Sequence, residues 1–247
     1  MKNLCKPAAI LAALVVIALG LVSTAKHVNA ASEGKVTGTI KLDGTAPHMR
    51  AIDMSKDPVC VKQHSTPAHL ENVVVGPNGG LANVVVYISQ GLPASAAAAV
   101  PSKPIVWDQK GCMYQPHVAG LDVGQQLQVV NSDPTTHNIH PLPQPGGGNI
   151  GWNKSQPQGS PPFNTSWKAE EVAIPVKCNI HPWMHGYMVV VKGPYGVSDP
   201  SGSFSLENVP PGTYTLTAWH ETYGTQTQKV TVAAGKPAAV NFTFKAK

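Results

Sequence analysis

Between Lys35 and Leu42 the side chains alternate polar and apolar, the two-residue period of a strand with one buried face. Asp43-Gly44 then turns the chain. Val73-Val74-Val75 and Asn83 to Ile88 flank Pro77-Asn78-Gly79-Gly80, which predicts a hairpin. The second of these runs is almost continuously apolar and predicts a strand buried on both faces. Further strand patterns follow at Ile105–Gln109, Gly111–Val118, Gln126–Val130, Val172–Ile174 and Met188–Val191. Short runs around Phe204, Tyr214, Lys229–Val232 and Val240–Phe244 complete the series. Three stretches break the pattern. Residues 45–72 contain Pro47, Pro58 and Pro67 and no period, so they read as a long irregular excursion pinned by Cys60. Leu92–Pro104 is alanine- and proline-rich, a linker with room for a short helix over Ala94–Ala99. Residues 141–168, rich in Pro, Gly and Ser and punctuated by Trp152, Phe163 and Trp167, read as a surface loop. With 23 Gly, 23 Pro and few aromatics, the chain reads as short strands joined by turns, an all-β sandwich class.

Chemistry concentrates in one stretch. Lys177-Cys178-Asn179-Ile180-His181-Pro182-Trp183-Met184-His185-Gly186 puts a thiol, two imidazoles and a thioether into ten residues, between two apolar runs. That predicts a tight loop joining two strands. Thiolate and thioether are soft ligands and imidazole is intermediate, a set that suits copper. Asn131-Ser132-Asp133-Pro134-Thr135-Thr136-His137-Asn138-Ile139-His140, which follows a strand-like run, supplies a further histidine. One His from there with Cys178 and His181 makes a trigonal His₂Cys set, and Met184 a weak axial ligand. A structural zinc at the same residues is chemically allowed, but a thioether is a poor zinc ligand.

His-Asn-Ile-His at 137–140 and Cys-x-x-His-Pro-Trp-Met-x-Gly at 178–186, followed by a valine-rich strand, resemble the cupredoxins, and among them the amicyanin group. The resemblance covers residues 101–192. It implies a Greek-key β-sandwich holding one type 1 copper on His137, Cys178, His181 and Met184. It also implies that Asn138 ties the two ligand loops together near the Cys178 sulfur, and that electrons enter through an exposed edge of His181. Pro141, Leu142, Pro182 and Trp183 are the expected apolar surround of that edge. His140 is expected to pack beneath the ligand loop, His185 to face solvent and His117 to be a structural histidine near Cys112. His64 and His69 are expected to be loop histidines contacting water.

The phrase Gly202-Ser-Phe-Ser-Leu-Glu-Asn-Val-Pro-Pro-Gly-Thr-Tyr-Thr-Leu216 resembles the carboxypeptidase regulatory-like, or transthyretin-like, β-sandwich. That module normally opens with strands like Gly34–Leu42 and Leu81–Ile88, which here precede the copper stretch. The expected organisation is a signal peptide over 1–30, the opening strands of this sandwich over 31–100, the cupredoxin over 101–192, and the closing strands over 193–247. The copper domain is then an insertion in the second sandwich. Two domains in series, or one enlarged sheet, are the alternatives.

Lys2 and Lys6 precede an apolar run from Ala8 to Val22, and Val28-Asn29-Ala30 ends in small residues, the pattern of a secretory signal cut after Ala30. The run is short for a membrane span. The expected location is therefore periplasmic or secreted, with no stable membrane span after cleavage. Loss of Lys2, Lys6 and Lys26 lowers the net charge from +5 to +2. No basic cluster with interleaved aromatics points to nucleic acid. Cys60, Cys112 and Cys178 remain in the exported chain. Copper at Cys178 accounts for the odd thiol, leaving Cys60 and Cys112 to pair in an oxidising compartment.

Four protein ligands leave no open position for a substrate, so the expected role is electron transfer and not catalysis. Partners would be redox proteins, such as a c-type cytochrome or a respiratory complex. A copper carrier or chaperone, and a non-redox binding scaffold, are the competing readings. A multicopper oxidase or nitrite reductase would need further His pairs, such as His-x-His with a second cupredoxin repeat, and the sequence has neither.

Overall fold

The computed structural model describes residues 32–97 and 100–247. The signal-peptide segment and its cleavage site lie outside the described residues, as do the last two positions of the helix expected over Ala94–Ala99. Two strands precede residue 100, β1 (Gly34–Asp43) and β2 (Val85–Gln90), with helices α1 (Pro58–Lys62) and α2 (Ala94–Ala97). Nine strands follow: β3 (Ile105–Lys110), β4 (Met113–Gln115), β5 (Val118–Asp122), β6 (Leu127–Asn131), β7 (His137–Pro141), β8 (Lys154–Gln156), β9 (Phe163–Thr165), β10 (Glu171–Lys177) and β11 (His185–Val191). Six complete the chain: β12 (Tyr195–Val197), β13 (Ser203–Val209), β14 (Gly212–His220), β15 (Gly224–Val232), β16 (Pro237–Ala239) and β17 (Phe242–Lys245). No described helix is long and apolar enough to cross a membrane.

The strands form four sheets. β1 pairs with β13, β16 and β17, and β2 lies between β12 and β14, with β15 beyond. The order β5-β11-β10-β7-β8 makes one further sheet and β4-β3-β6-β9 the other. Every strand paired with β1 or β2 thus follows residue 192, while β3 to β11 pair only among themselves.

Side-chain alternation explains how the sheets stack. On β2, Val86 and Ile88, with Val84 just before them, enter one core with Ile40, Leu216, Phe242 and Phe244, while Val85 points the other way. On β11, Met188 and Val190 enter the core around Trp107, Leu127 and Ile139, and Val189 and Val191 turn outward. The two outward faces meet: Val85, Val118, Val189, Val191 and Trp219 form a third apolar layer between the sheets. A strand covered on both faces needs no polar side, which accounts for the unbroken apolar runs at Val84–Val86 and Met188–Val191.

Three expectations change. Val73–Val75 and Asn83–Ile88 do not form a hairpin. No bridge joins the two runs, because β2 is claimed by β12 and β14; only Val75 and Leu81, ahead of the second run, form an isolated bridge. The Pro77–Gly80 signal is real as a turn and closes a 3₁₀ turn at Pro77–Gly79. Residues 141–168 are not only loop: they supply β8 and β9, which pair with β7 and β6 and cover those strand edges. Trp152 packs between Phe163 and Trp167 under this segment. The excursion over 45–72 is also partly regular, for α1 carries Cys60 into a disulfide with Cys112.

Candidate metal centre

Cys178 follows β10, His185 begins β11, and the intervening residues form a closed loop. The Cys178 N–H donates to the Met184 carbonyl (3.0 Å) and the Met184 N–H to the His181 carbonyl (2.9 Å). These bonds keep Cys178, His181 and Met184 within one turn of each other, and all three are buried. Gly186 follows because nothing larger fits: a Cβ there would lie 2.5 Å from the backbone oxygen of His117. His137 opens β7, antiparallel to β10, so that it faces the loop from the next strand.

His137, Cys178 and His181 come together as one buried cluster, with potential ligand atoms all within 4.8 Å of one another. The Nδ1 atoms of His137 and His181 are 2.9 Å apart, and the Cys178 Sγ lies 3.8 Å from His181 Nδ1. What aims the rings is carboxylate on the far side of each. His137 Nε2 donates to Asp133 Oδ2 (2.7 Å), and His181 Nε2 donates to Asp57 Oδ2 (2.9 Å). When the rings are neutral and the outer nitrogens hold their protons, both Nδ1 lone pairs converge on one point beside the sulfur. Two lone pairs so close repel unless a proton or a cation lies between them, so the residues fit a metal. Met184 is buried in the same core as Cys178.

The sulfur is prepared as an anion. Burial pushes the Cys178 thiol up, but hydrogen bonds from His137, His181 and the surrounding backbone outweigh it and bring the thiol down to about 5. Burial pulls both His137 and His181 down, while Cys178 and the two carboxylates reverse that and hold both above the ordinary imidazole value. Asp133 would be raised by burial, yet its bonds from His137 and from the N–H groups of Cys112 and Gly111 hold it low. The His181 bond likewise lowers Asp57.

Asn138 ties the loops as the resemblance implied. Its Oδ1 accepts from the Asn179 N–H (2.7 Å) and from the Cys178 thiol (3.3 Å), and its carbonyl accepts from Tyr114 (2.7 Å). The His181 N–H also points at Cys178 Sγ (3.4 Å). Trp183 packs on the His181 ring with centroids 5.1 Å apart and donates to the Cys112 carbonyl (3.1 Å). His140 is half-buried and bonds to Asn179 of the ligand loop (3.2 Å).

The expected exposed edge of His181 is absent. The residue is 2% exposed, because Asp57, the N-cap of α1, sits on its Nε2. The Cys60–Cys112 disulfide anchors that helix over the site. Of the expected apolar surround, Leu142 and Pro182 are exposed, Trp183 is half-buried and Pro141 is buried. Asp57 and Asp133 were not among the residues singled out from the sequence. Asp133 had a signal, an acid four residues before His137 in the same stretch; Asp57, 124 residues from His181, had none. His185 is not solvent-facing: it is half-buried, bonded to the Trp183 carbonyl and set edge-on to His117, 5.3 Å between centroids. His117 bonds to Glu221, the neighbour that the expectation of a structural site near Cys112 lacked. His64, half-buried, bonds to the Gly111 carbonyl (2.7 Å), while His69 is exposed.

Comparison with known proteins gives one family match and several partial structural likenesses. Residues 187–245 match the family model of the carboxypeptidase regulatory-like domain, a span that includes the Gly202–Leu216 phrase. Among solved structures, the Cu(I) form of an amicyanin mutant is similar at 23% identity, with 42% of this chain and 97% of that one covered and a TM-score of 0.32. An oxidised amicyanin mutant gives 22% identity, the same coverage and a TM-score of 0.31. A copper-containing nitrite reductase from Thermus scotoductus SA-01 gives 18% identity and a TM-score of 0.33; the match spans 42% of this chain but about a quarter (26%) of the reductase. No curated protein sequence matches the chain.

Proposed function

We propose that the protein is an exported type 1 copper protein that passes single electrons between redox partners, with His137, Cys178, His181 and Met184 as the ligands of one copper. The observation that carries this reading is the convergence of the two carboxylate-oriented Nδ1 atoms on a buried, acidic thiol. Copper so bound supplies one-electron chemistry between its two oxidation states. The chain's own part is to hold the donors still. Asp133 and Asp57 fix both rings, the His181 N–H points at the sulfur, Asn138 holds the Cys178 loop through the Asn179 N–H, and Trp183 and the buried core exclude water. A site that keeps its geometry in both charge states reorganises little on electron transfer, and a site enclosed by four side chains offers no place for a substrate. The amicyanin and nitrite reductase likenesses are of fold only, and the electron-carrier role stands on the site.

We propose further that the copper sandwich is inserted in the carboxypeptidase regulatory-like one, with residues 31–100 and 193–247 forming the host. The pairing of β1 and β2 with strands beyond residue 192 supports this. Cyclic voltammetry of the copper-loaded chain tests the electron-carrier reading: a reversible one-electron wave, with full reduction by a reduced c-type cytochrome, is expected. A protein that holds Cu(I) tightly but surrenders it to a copper acceptor, and cannot be cycled, would make it a copper carrier.

A further inference from the structure

Beyond Met184, around His185, lies a second group of ligating side chains, drawn from separate segments. Glu71 and Asn72 end the excursion that follows β1, His117 leads into β5, His185 opens β11, and Glu221 follows β14. His117, His185 and Glu221 place potential ligand atoms within 4.8 Å of one another.

His117 is 4% exposed, and its two ring nitrogens face two different carboxylates. Nε2 bonds to Glu221, whose side chain is itself 3% exposed. Nδ1 is buried with no hydrogen-bond partner, and the nearest acidic oxygen, Glu71 Oε2, is 3.9 Å away. That gap is too long for a hydrogen bond. It falls within the roughly 4 Å that a bond to nitrogen and a bond to oxygen span through a first-row dication. His185 has both ring nitrogens partnered. Its Nδ1 donates to the Trp183 carbonyl, which leaves Nε2 as an acceptor; the Asn72 amide nitrogen stands 3.3 Å from it and 2.8 Å from Glu221 Oε2. The Asn72 NH₂ has two hydrogens and serves both acceptors, which holds His185 Nε2 and Glu221 beside each other. Rotation of the Asn72 amide would turn its oxygen inward as a further donor.

Two imidazoles and two carboxylates carry a net negative charge when the rings are neutral, and the Glu221 share of it is buried, which is costly without a counter-charge. Nitrogen and carboxylate donors without sulfur select an ion of intermediate softness over calcium or magnesium. Access runs through an open depression beside His185, lined by Arg50, Asp53, Leu70, Pro182 and Trp183. We propose that His117, through Nδ1, with Glu71 and His185 forms a second cation site, for a zinc-class divalent ion, distinct from the Cys178 centre, and that Glu221 orients the His117 ring from Nε2.

The site is independent of the copper reading and is tested with the first centre disabled. In the full chain carrying Cys178→Ala and His181→Ala, equilibrium dialysis against zinc with elemental analysis should find one ion per chain. His117→Gln or Glu221→Gln added to that background should weaken binding by about 100-fold or more, at or beyond the loss typical of supporting residues. His140→Gln should leave it unchanged, and calcium should not compete. If His117→Gln fails to fold, judged by its thermal melt, His185→Gln at the half-buried position carries the same expectation. No bound zinc in the background chain, or zinc retained at full affinity in these variants, would overturn the proposal.

Discussion

Asp133→Asn probes how the fold prepares the Cys178 centre. The carboxylate is buried and takes three bonds of 2.7 Å: Oδ1 from the Gly111 N–H, and Oδ2 from the Cys112 N–H and from His137 Nε2. Asparagine has the same shape but one acceptor. If its oxygen keeps Cys112 and His137, its NH₂ faces the Gly111 N–H, donor against donor. If it is turned over, the NH₂ faces the Cys112 N–H and His137 Nε2, and His137 must shift its proton to Nδ1, the nitrogen that faces Cys178 and His181. The first arrangement is better, and leaves one buried donor unpaired at about 1–3 kcal/mol while also replacing a charge-assisted bond to His137 with a neutral one. Urea unfolding of the copper-free variant at pH 7 should therefore show a loss of about 2–4 kcal/mol. Copper affinity, by competition with a chelator, should fall by about 10–100-fold, because the ring is no longer held to one tautomer. Unfolding free energy unchanged from the parent, with copper affinity within about twofold of it, would refute the claim that Asp133 orients His137.

Asp57→Ala removes both the carboxylate over His181 Nε2 and the cap that accepts from the Val59 and Cys60 N–H groups. It should cost about 1 kcal/mol in unfolding and raise the copper reduction potential, since a nearby negative charge favours the oxidised state; an unchanged or lower potential by voltammetry would count against the clasp. Cys60→Ala with Cys112→Ala opens a link of sequence separation 52 and should lose about 4 kcal/mol in denaturant titration; a loss under about 1 kcal/mol would contradict that constraint. Burial pushes the Asp122 carboxyl up to about 6 against a bond from the Gly193 N–H. The folded state therefore binds more protons than the unfolded one between about pH 4 and 6, so stability falls as pH rises through that window. Asp122→Asn should flatten that slope, and a melting-temperature profile that keeps it would assign the slope elsewhere.

What could be read from the sequence was local. The Cys178–Gly186 loop, its flanking strands and the alternation of β1 depend on neighbours in the chain, and the structure has them where the pattern put them. The double-sided burial of Val84–Val86 was also legible, because an unbroken apolar run has few other uses. The pairing partner of that run was not. A turn signal beside two valine runs suggests a hairpin, but β2 bonds to strands more than a hundred residues later, and nothing nearby records that choice. Odd cysteine number led to the Cys60–Cys112 pair, whereas the consequence of that pair, α1 closing over His181, depended on where Asp57 lands in space. Asp133 was visible as an acid beside the first histidine; two of its three donors come from the Gly111-Cys112 turn and had no sequence mark.

The visible spectrum of the purified chain after Cu(II) addition, recorded beside Cys178→Ser, tests the central claim most directly. An intense thiolate-to-copper charge-transfer band in the parent, absent from the variant, is the predicted result. A colourless parent, or a band that survives loss of the Cys178 sulfur, would contradict it.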